Sequence, residues 1–306
     1  MSQAATPQLN LKKILAGAQL PALPQSAVRL LELSQDPGNG PTEFAAPIEA
    51  DPGLTGQVLR FVNSSYFGFA REISSIKLAL TLVGVRTIKN FALWSAVFSL
   101  MPNPRCGPFD LKSLWQDSLR RALFARTTAK LLGLKEAEEP FAAALLQDMA
   151  VPLLAKEAPQ LYVKLLEARG EGKIRLSFLE EKLFGWTHAE AAGIMARQWN
   201  LPDEFALLVE HHQQIDRWAA QPKAEPGRLA VALSALLPPI ADPAWEECGL
   251  FERYYQRIAP AGSPAAVELL AQIDQEFTEF APVLKLATPA KSLVDCFNEA
   301  AAVAVS

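Results

Sequence analysis

Apolar residues in this chain recur at helical intervals over most of its length. The segment "LKSLWQDSLRRALFARTTAKLLG" carries Leu111, Leu114, Trp115, Leu119, Ala122 and Leu123 on threes and fours, and the pattern runs on through Ala129 and Leu132 to Gly133. That spacing predicts an amphipathic helix with the glycine as its stop. Farther on, "EPFAAALLQDMAVPLLAKEA" is apolar nearly all round, as a central helix should be, and Pro152 is expected to kink it or end it early. One polar pair, Gln147-Asp148, interrupts that segment. Thr187 with Glu190 three residues later has the form of a capping box ahead of "HAEAAGIMARQWN", and Leu201-Pro202-Asp203 introduces "EFALLVEHHQQ", so these two segments predict a helical hairpin.

The first hundred residues read as shorter helices separated by turn residues. Ser26 is the expected N-cap of "AVRLLELS", the run from Asp36 to Pro41 is a break, and Thr42 is expected to open "EFAAPIEA". Asp51-Pro52-Gly53 ends that helix and "LTGQVLRFVNS" makes the next. The aromatic-rich "SYFGFAREISS" connects it to "IKLALTLVG" and "VRTIKNFALWSAVFSLM". Three prolines and a glycine between Pro102 and Pro108 stop any helix and mark the best internal boundary. From about Ala219 the composition shifts to Pro, Ala and Glu, and further helical stretches follow. No repeat of 20 to 50 residues is present.

Strand-forming residues nowhere cluster in alternating runs, so the fold class is all-α. At 306 residues the chain can bury a full core, as one large domain with an appendage or as two domains. A net charge of -4 provides no global basic field, and the basic cluster Arg120, Arg121, Arg126 and Lys130 reads as a solvated helix face. No nucleic-acid partner is therefore expected. Cys106, Cys248 and Cys296 are far apart and in no CxxC spacing, which suits a reducing cytoplasm and neither a disulfide framework nor a zinc knuckle. The N-terminus lacks the order of a signal peptide, and the longest apolar stretches fall short of the ~18 to 20 residues that span a bilayer. No export and no membrane partner are expected.

Candidate chemistry centres on the three histidines. His188, His211 and His212 all lie in the predicted hairpin, and with a carboxylate such as Asp148 they are suitable ligands for Mn, Fe, Ni or Zn. Adjacent helical residues point about 100° apart, however, so His211 and His212 cannot readily face one ion together. A buried aspartate hydrogen-bonded to neighbouring helix ends is the commoner use of Asp148. No Gly-rich phosphate loop, GxSxG elbow or HExxH motif occurs.

The segments "LPALPQSAVRLLELSQDP", "EADPGLTGQVLRFVNSSYFG", "ISSIKLALTLVGVRTIKNFAL", "LWQDSLRRALFA" and "LLQDMAVPLL" stand in the order, and at about the separations, of the HDOD domain, the HD-related output domain of bacterial signalling proteins. The resemblance covers about Leu11 to Gln214. It implies a multi-helix bundle akin to the HD-domain phosphohydrolases, with an HDOD domain over 11–219, divided into an N-terminal helical part (11–104) and an HD-like core (105–219), and a C-terminal helical extension over 220–306.

HD-domain enzymes hold one or two metals through a His, a His-Asp pair and a later Asp. By resemblance those positions fall at Asp117, at Gln147-Asp148, and near Ser234 or Ala235, where no carboxylate is present. His188 and the His211-His212 pair resemble the further histidines of HD-GYP cyclic-dinucleotide phosphodiesterases, whose Gly and Lys after the His-Asp pair correspond to Ala150 and Val151. Only Asp148 keeps its residue type, and a glutamine amide is a poor replacement for imidazole on a transition metal. The resemblance thus implies a non-catalytic signalling or regulatory module acting on other signalling proteins, with a degenerate site, no catalytic residue and no metal. Self-association into a homo-oligomer is left open. The alternatives are a metal-dependent phosphohydrolase or cyclic-dinucleotide phosphodiesterase holding Fe, Mn or Ni on Asp148, His188, His211 and His212, and a nucleotide-binding sensor.

Overall fold

Local chemistry sets the helix boundaries of the N-terminal part, which comprises α1 (Leu11–Gly17), α2 (Gln25–Leu33), α3 (Pro41–Glu49), α4 (Pro52–Val62), α5 (Ile76–Val83) and α6 (Val85–Leu100). The computed structural model describes residues 10–17, 20–221 and 224–305, and among them no strand occurs. The first nine residues, part of the stretch read for an export signal, lie outside the described ones.

Ser26 does not cap α2. Pro24 takes an extended conformation and lets the helix begin at Gln25, so the Ser26 hydroxyl donates instead to Asp51 at 2.9 Å. Asp51 accepts the Leu54 N–H at 3.0 Å and is the N-cap of α4. Thr42 likewise falls inside α3, because Pro41 has no N–H to satisfy and fits the first turn. The connection after α4 is pinned by one side chain: Asn63 donates to the Ile73 carbonyl at 2.8 Å and accepts the Ile73 N–H at 2.7 Å.

The middle of the chain forms α7 (Leu111–Leu131), α8 (Glu138–Leu146), α9 (Ala150–Glu157), α10 (Pro159–Ala168), α11 (Leu176–Phe184), α12 (His188–Gln198), α13 (Asp203–Glu210) and the short α14 (Ile215–Ala219). After it come α15 (Pro226–Ser234), α16 (Cys248–Ile258), α17 (Ala266–Phe280) and α18 (Leu293–Val305). Helix α7 is the axis of the arrangement, with α8, α15 and α17 packed against it. Its first residues are set by Asp110, which accepts the Ser113 N–H at 2.8 Å.

The arginines of α7 overturn the expectation of a solvated face. Arg120, Arg121 and Arg126 are 3%, 9% and 5% exposed, and only Lys130 of that cluster is open to water. The physical reason is that helices cover α7 on every side and bring it acceptors. Arg120 donates to the Lys291 carbonyl, Arg126 pairs with Glu276 at 2.8 Å, and Gln116 donates to the Ala287 carbonyl at 2.6 Å. The Arg126 guanidinium also lies over the Tyr66 and Phe141 rings at 4.9 and 5.1 Å, where the ring faces attract a cation. The Asp274 carboxylate of α17 accepts the Leu293 and Val294 N–H groups at 3.0 and 3.1 Å and so starts α18.

One continuous apolar core runs from the N-terminal helices to α18. Phe280 at the end of α17 meets Phe61 at 5.4 Å, Tyr66 at 5.3 Å and Phe141 at 5.9 Å, centroid to centroid, so the last helices share the aromatic cluster of the first. Phe280→Ala should therefore destabilise the whole unit by ~3 to 5 kcal/mol. Urea unfolding of the variant is expected to stay a single transition at a lower midpoint. Loss of the C-terminal helices in a separate earlier step would show that they fold independently.

Candidate functional site: a buried carboxylate and imidazole cluster

The site is built on a break in the apolar segment that the sequence presented as one helix. Pro152 has no N–H to give the carbonyl four residues back, and its ring crowds that carbonyl, so the helical hydrogen-bond ladder loses its support at Asp148. The chain instead ends α8 at Leu146 and turns through Gln147, Asp148 and Met149, with the Val151 N–H on the Asp148 carbonyl at 3.0 Å, before α9 begins. The break thus precedes Pro152, which sits in the first turn of α9, and it turns Asp148 toward α7 and α12.

Three side chains converge on that buried carboxylate. Arg121 of α7 donates to Oδ2, while Nε2 of His188 lies 3.2 Å and Nε2 of His212 lies 3.6 Å from Oδ1. The predicted hairpin is what brings the two imidazoles together. Thr187 donates its N–H to Glu190 at 3.2 Å as the capping pattern requires. Gly193 allows α12 and α13 to touch, since a Cβ there would stand 2.7 Å from that of Glu210.

Each imidazole is oriented by its other nitrogen. Nδ1 of His188 and its backbone N–H both reach Oε2 of Glu180, at 2.6 and 2.9 Å, and the Tyr162 hydroxyl donates to the second oxygen of Glu180 at 2.7 Å. Nδ1 of His212 lies 2.7 Å from the Val209 carbonyl. A carbonyl only accepts, so His212 carries its proton on Nδ1 and turns a lone pair on Nε2 into the cluster. The Gln213 amide lies 2.8 Å from His188 Nε2 and 3.2 Å from His212 Nε2.

Electrostatics separates the four groups. Burial alone would raise Asp148, but Arg121 and the hydrogen bond from His188 outweigh it and hold the carboxyl well below the usual range. Burial likewise works against a charge on His188, yet Glu180 and Asp148 on its two nitrogens push it up to about 10. His212 lacks a second carboxylate, so burial prevails and lowers it to about 3. Asp117, on α7, accepts the Ile240 N–H at 2.8 Å, and burial raises it to about 7 against the pull of Arg121.

The sequence-predicted positions fall unevenly around this centre. Asp148, His188 and His212 bring their ligand atoms within 4.8 Å of one another and could hold a metal ion. His211 does not join them: it ends α13, its ring lies 5.8 Å from Trp218, and burial lowers its basicity. Consecutive residues at a helix end diverge, which is why only one of the pair reaches Asp148. Gln147 accepts a long 3.5 Å contact from the Ser234 hydroxyl, and its amide nitrogen has no partner. Sequence reasoning missed Arg121 and Glu180. A cavity of about 170 Å³ opens beside the cluster, with Asp117, Arg121, Gln147, His188 and His212 in its wall.

Residues 20–215 match the HDOD domain. The chain belongs to the HDOD family. Among solved structures, the HDOD domain protein of unknown function from Geobacter sulfurreducens superposes with a TM-score of 0.71 at 24% identity, covering 90% of this chain and 97% of that one. A Shewanella amazonensis protein provisionally named a phosphohydrolase gives 0.67 at 21% identity, over 89% and 97%. A Marinobacter aquaeolei protein provisionally named a signal transduction protein gives 0.60 at 20% identity, over 92% and 65%. These likenesses establish the helical HDOD fold. An uncharacterised protein of Treponema pallidum is 24% identical over 197 residues, 64% of this chain but only 38% of that one, so the chain spans less than half the length of that relative.

The HDOD cluster has a calculable pH signature. Unfolded His188 would release its proton near ~6.5, whereas the native residue keeps it to about 10. Its stabilising contribution is therefore complete below the unfolded value and lost as pH rises through the folded one. The gap in unfolding free energy between the native chain and His188→Gln should shrink steadily from neutral pH to pH ~10. A gap that is constant, or that grows, would mean that His188 is neutral in the folded protein.

Proposed function

We propose that this HDOD protein is a non-catalytic regulatory module that acts by contacts with other signalling proteins in the cytoplasm, its HD-type site serving as a buried ionic clasp between helices. The observation that carries the reading is the guanidinium of Arg121 on the carboxylate of Asp148. In an HD enzyme that carboxylate would face a metal, and here a fixed cation from α7 meets it. With His188 protonated, two cations already balance Asp148 and Glu180, so a divalent ion would have to expel a proton and stand beside Arg121. Gln147 and Ser234 add no anionic donor to help it. The names of the Shewanella and Marinobacter structures point in two directions, hydrolysis and signalling, and the charge balance favours the second.

The rival reading, a metal-dependent phosphohydrolase, has one observation in its favour. Asp148, His188 and His212 form a donor set of the kind that suits a single Zn, Fe, Mn or Ni ion, with Glu180 and the Val209 carbonyl orienting the imidazoles from behind. The two readings separate on the role of Arg121. Expressed with Fe, Mn, Ni and Zn in the medium, the purified chain should carry substoichiometric metal and hydrolyse neither phosphomonoesters nor cyclic dinucleotides. Arg121→Leu should unfold at lower urea, by ~3 to 5 kcal/mol, because the buried carboxylates Asp148 and Glu180 are left with His188 as their one cation. Near-stoichiometric metal together with hydrolysis that disappears in Asp148→Ala would overturn the proposal.

A further inference from the structure

The cavity beside the cluster is closed on one side by a seam between two segments that meet through charged groups. One is the loop from Arg169 to Arg175 that joins α10 to α11, and the other is the stretch from Ala235 to Glu247 that follows α15. Nη2 of Arg169 donates to Oδ2 of Asp242 at 2.5 Å, Arg175 pairs with Glu247, and Arg175 also donates to the Ala235 carbonyl at 3.3 Å. All of these residues line the cavity. Parting the seam therefore opens the wall.

What holds the loop differs in kind from what holds the rest of the wall. None of residues 167–175 belongs to the apolar core, and Ile174, the loop's one large apolar residue, is exposed. Inside the loop the Ile174 N–H reaches the Arg169 carbonyl at 3.1 Å and the Lys173 N–H reaches the Gly170 carbonyl at 3.4 Å. The side chains of Arg175 and Glu247 are 29% and 28% exposed, and ion pairs open to water in this way contribute little and weaken with salt. A segment tied down by such contacts alone is where a fold opens locally first. The backbone also departs from its surroundings, since Gly170, Glu171 and Gly172 all have positive φ, at 55°, 60° and 98°. Gly172 seats the loop: a Cβ there would stand 2.6 Å from the Asp242 carboxylate, so the two segments close only on a glycine.

We infer that the loop between α10 and α11 is a gate, latched by Arg169 on Asp242 and Arg175 on Glu247, which opens to admit small solutes to the cavity while the surrounding helices stay folded. Its far end begins α11, the helix that presents Glu180 to His188, so the gate and the ionic cluster share an element. The inference stands whether the cluster is a clasp or a metal centre, because no residue of the cluster takes part in the latch.

A thiol placed in the cavity wall reads the gate. Val151 is buried and lines the cavity, and Val151→Cys changes little volume. Ser177→Cys, in the same wall, takes its place if the first variant does not fold. The full chain carrying the new cysteine is treated with iodoacetamide, and mass spectrometry of its peptides separates the reporter from Cys106, Cys248 and Cys296. Labelling should quicken between ~0.01 and ~1 M salt, over which the Debye length falls from ~30 to ~3 Å. In Arg169→Leu it should be about five times faster or more, with a smaller response to salt. Arg169→Lys, which keeps the charge, should stay closer to the parent. Gly172→Ala leaves every ionic partner in place but cannot seat against Asp242, and it should label as fast as Arg169→Leu. Urea below the unfolding transition should raise the rate far less steeply than it shifts the global equilibrium. Unchanged labelling in either Arg169→Leu or Gly172→Ala would overturn the inference, as would a urea dependence equal to that of global unfolding.

Discussion

Asp148 stands at the junction of α8 and α9 with almost no access to water, and an ionised carboxylate in that position has to be matched by cations carried on other helices. Arg121 arrives from α7 and His188 from the start of α12, each held by its own helix. Because an isolated buried charge is so costly, the relative positions of these helices are coupled through one side chain. The second layer extends the coupling: Glu180 fixes His188 from α11, and Tyr162 fixes Glu180 from α10. A chain of hydrogen-bonded groups therefore runs from α7 to α10, and a defect at any member leaves a neighbour buried and unpaired.

Helix α7 carries the same problem on its other side and meets it with different partners. Arg120 and Arg126 point into the segment that follows residue 260, where the Lys291 carbonyl and the Glu276 carboxylate receive them. The last helices are thus joined to α7 by polar contacts as well as by Phe277, whose ring faces the Arg120 guanidinium at 5.8 Å. Meanwhile α15 places Ser234 against Gln147, and the turn after it places the Ile240 N–H against Asp117. Elements from beyond residue 219 consequently form part of the wall around the candidate site. They are structural components of the same unit that holds the imidazoles.

Much of this was legible from periodicity and turn chemistry. The hairpin of α12 and α13, its capping pair Thr187 and Glu190, the stop at Gly133 and the all-helical class follow from local pattern, and the structure has them. What was not legible depends on neighbours distant in sequence. Arg121 and the other arginines of α7 read as a solvated face because a helix pattern says which residues share a side, not whether a later helix covers it. Glu180 lies eight residues before His188 on a different helix, and no spacing rule links them. Between His211 and His212 the choice depended on how α13 ends, and helix ends are where pattern carries least information. The resemblance placed Gln147-Asp148 at the old His-Asp pair, yet only the coordinates show that an arginine takes up the carboxylate.

The guanidinium of Arg121 on the Asp148 carboxylate limits how the site can respond. A bound ion can leave or exchange, and its ligands then repel or protonate; a guanidinium on a helix axis does neither at any ordinary pH. The cation on Asp148 is therefore fixed across the ordinary pH range. Gln147 and Asp117 flank the cluster, one next to Asp148 in the break and the other one turn before Arg121 on α7, where it holds the Ile240 N–H. The part of the fold best fixed by electrostatics thus lies on the helix whose Arg120 and Arg126 also hold the C-terminal helices, so a displacement of α7 at Asp148 would be felt at both ends of the chain's polar network.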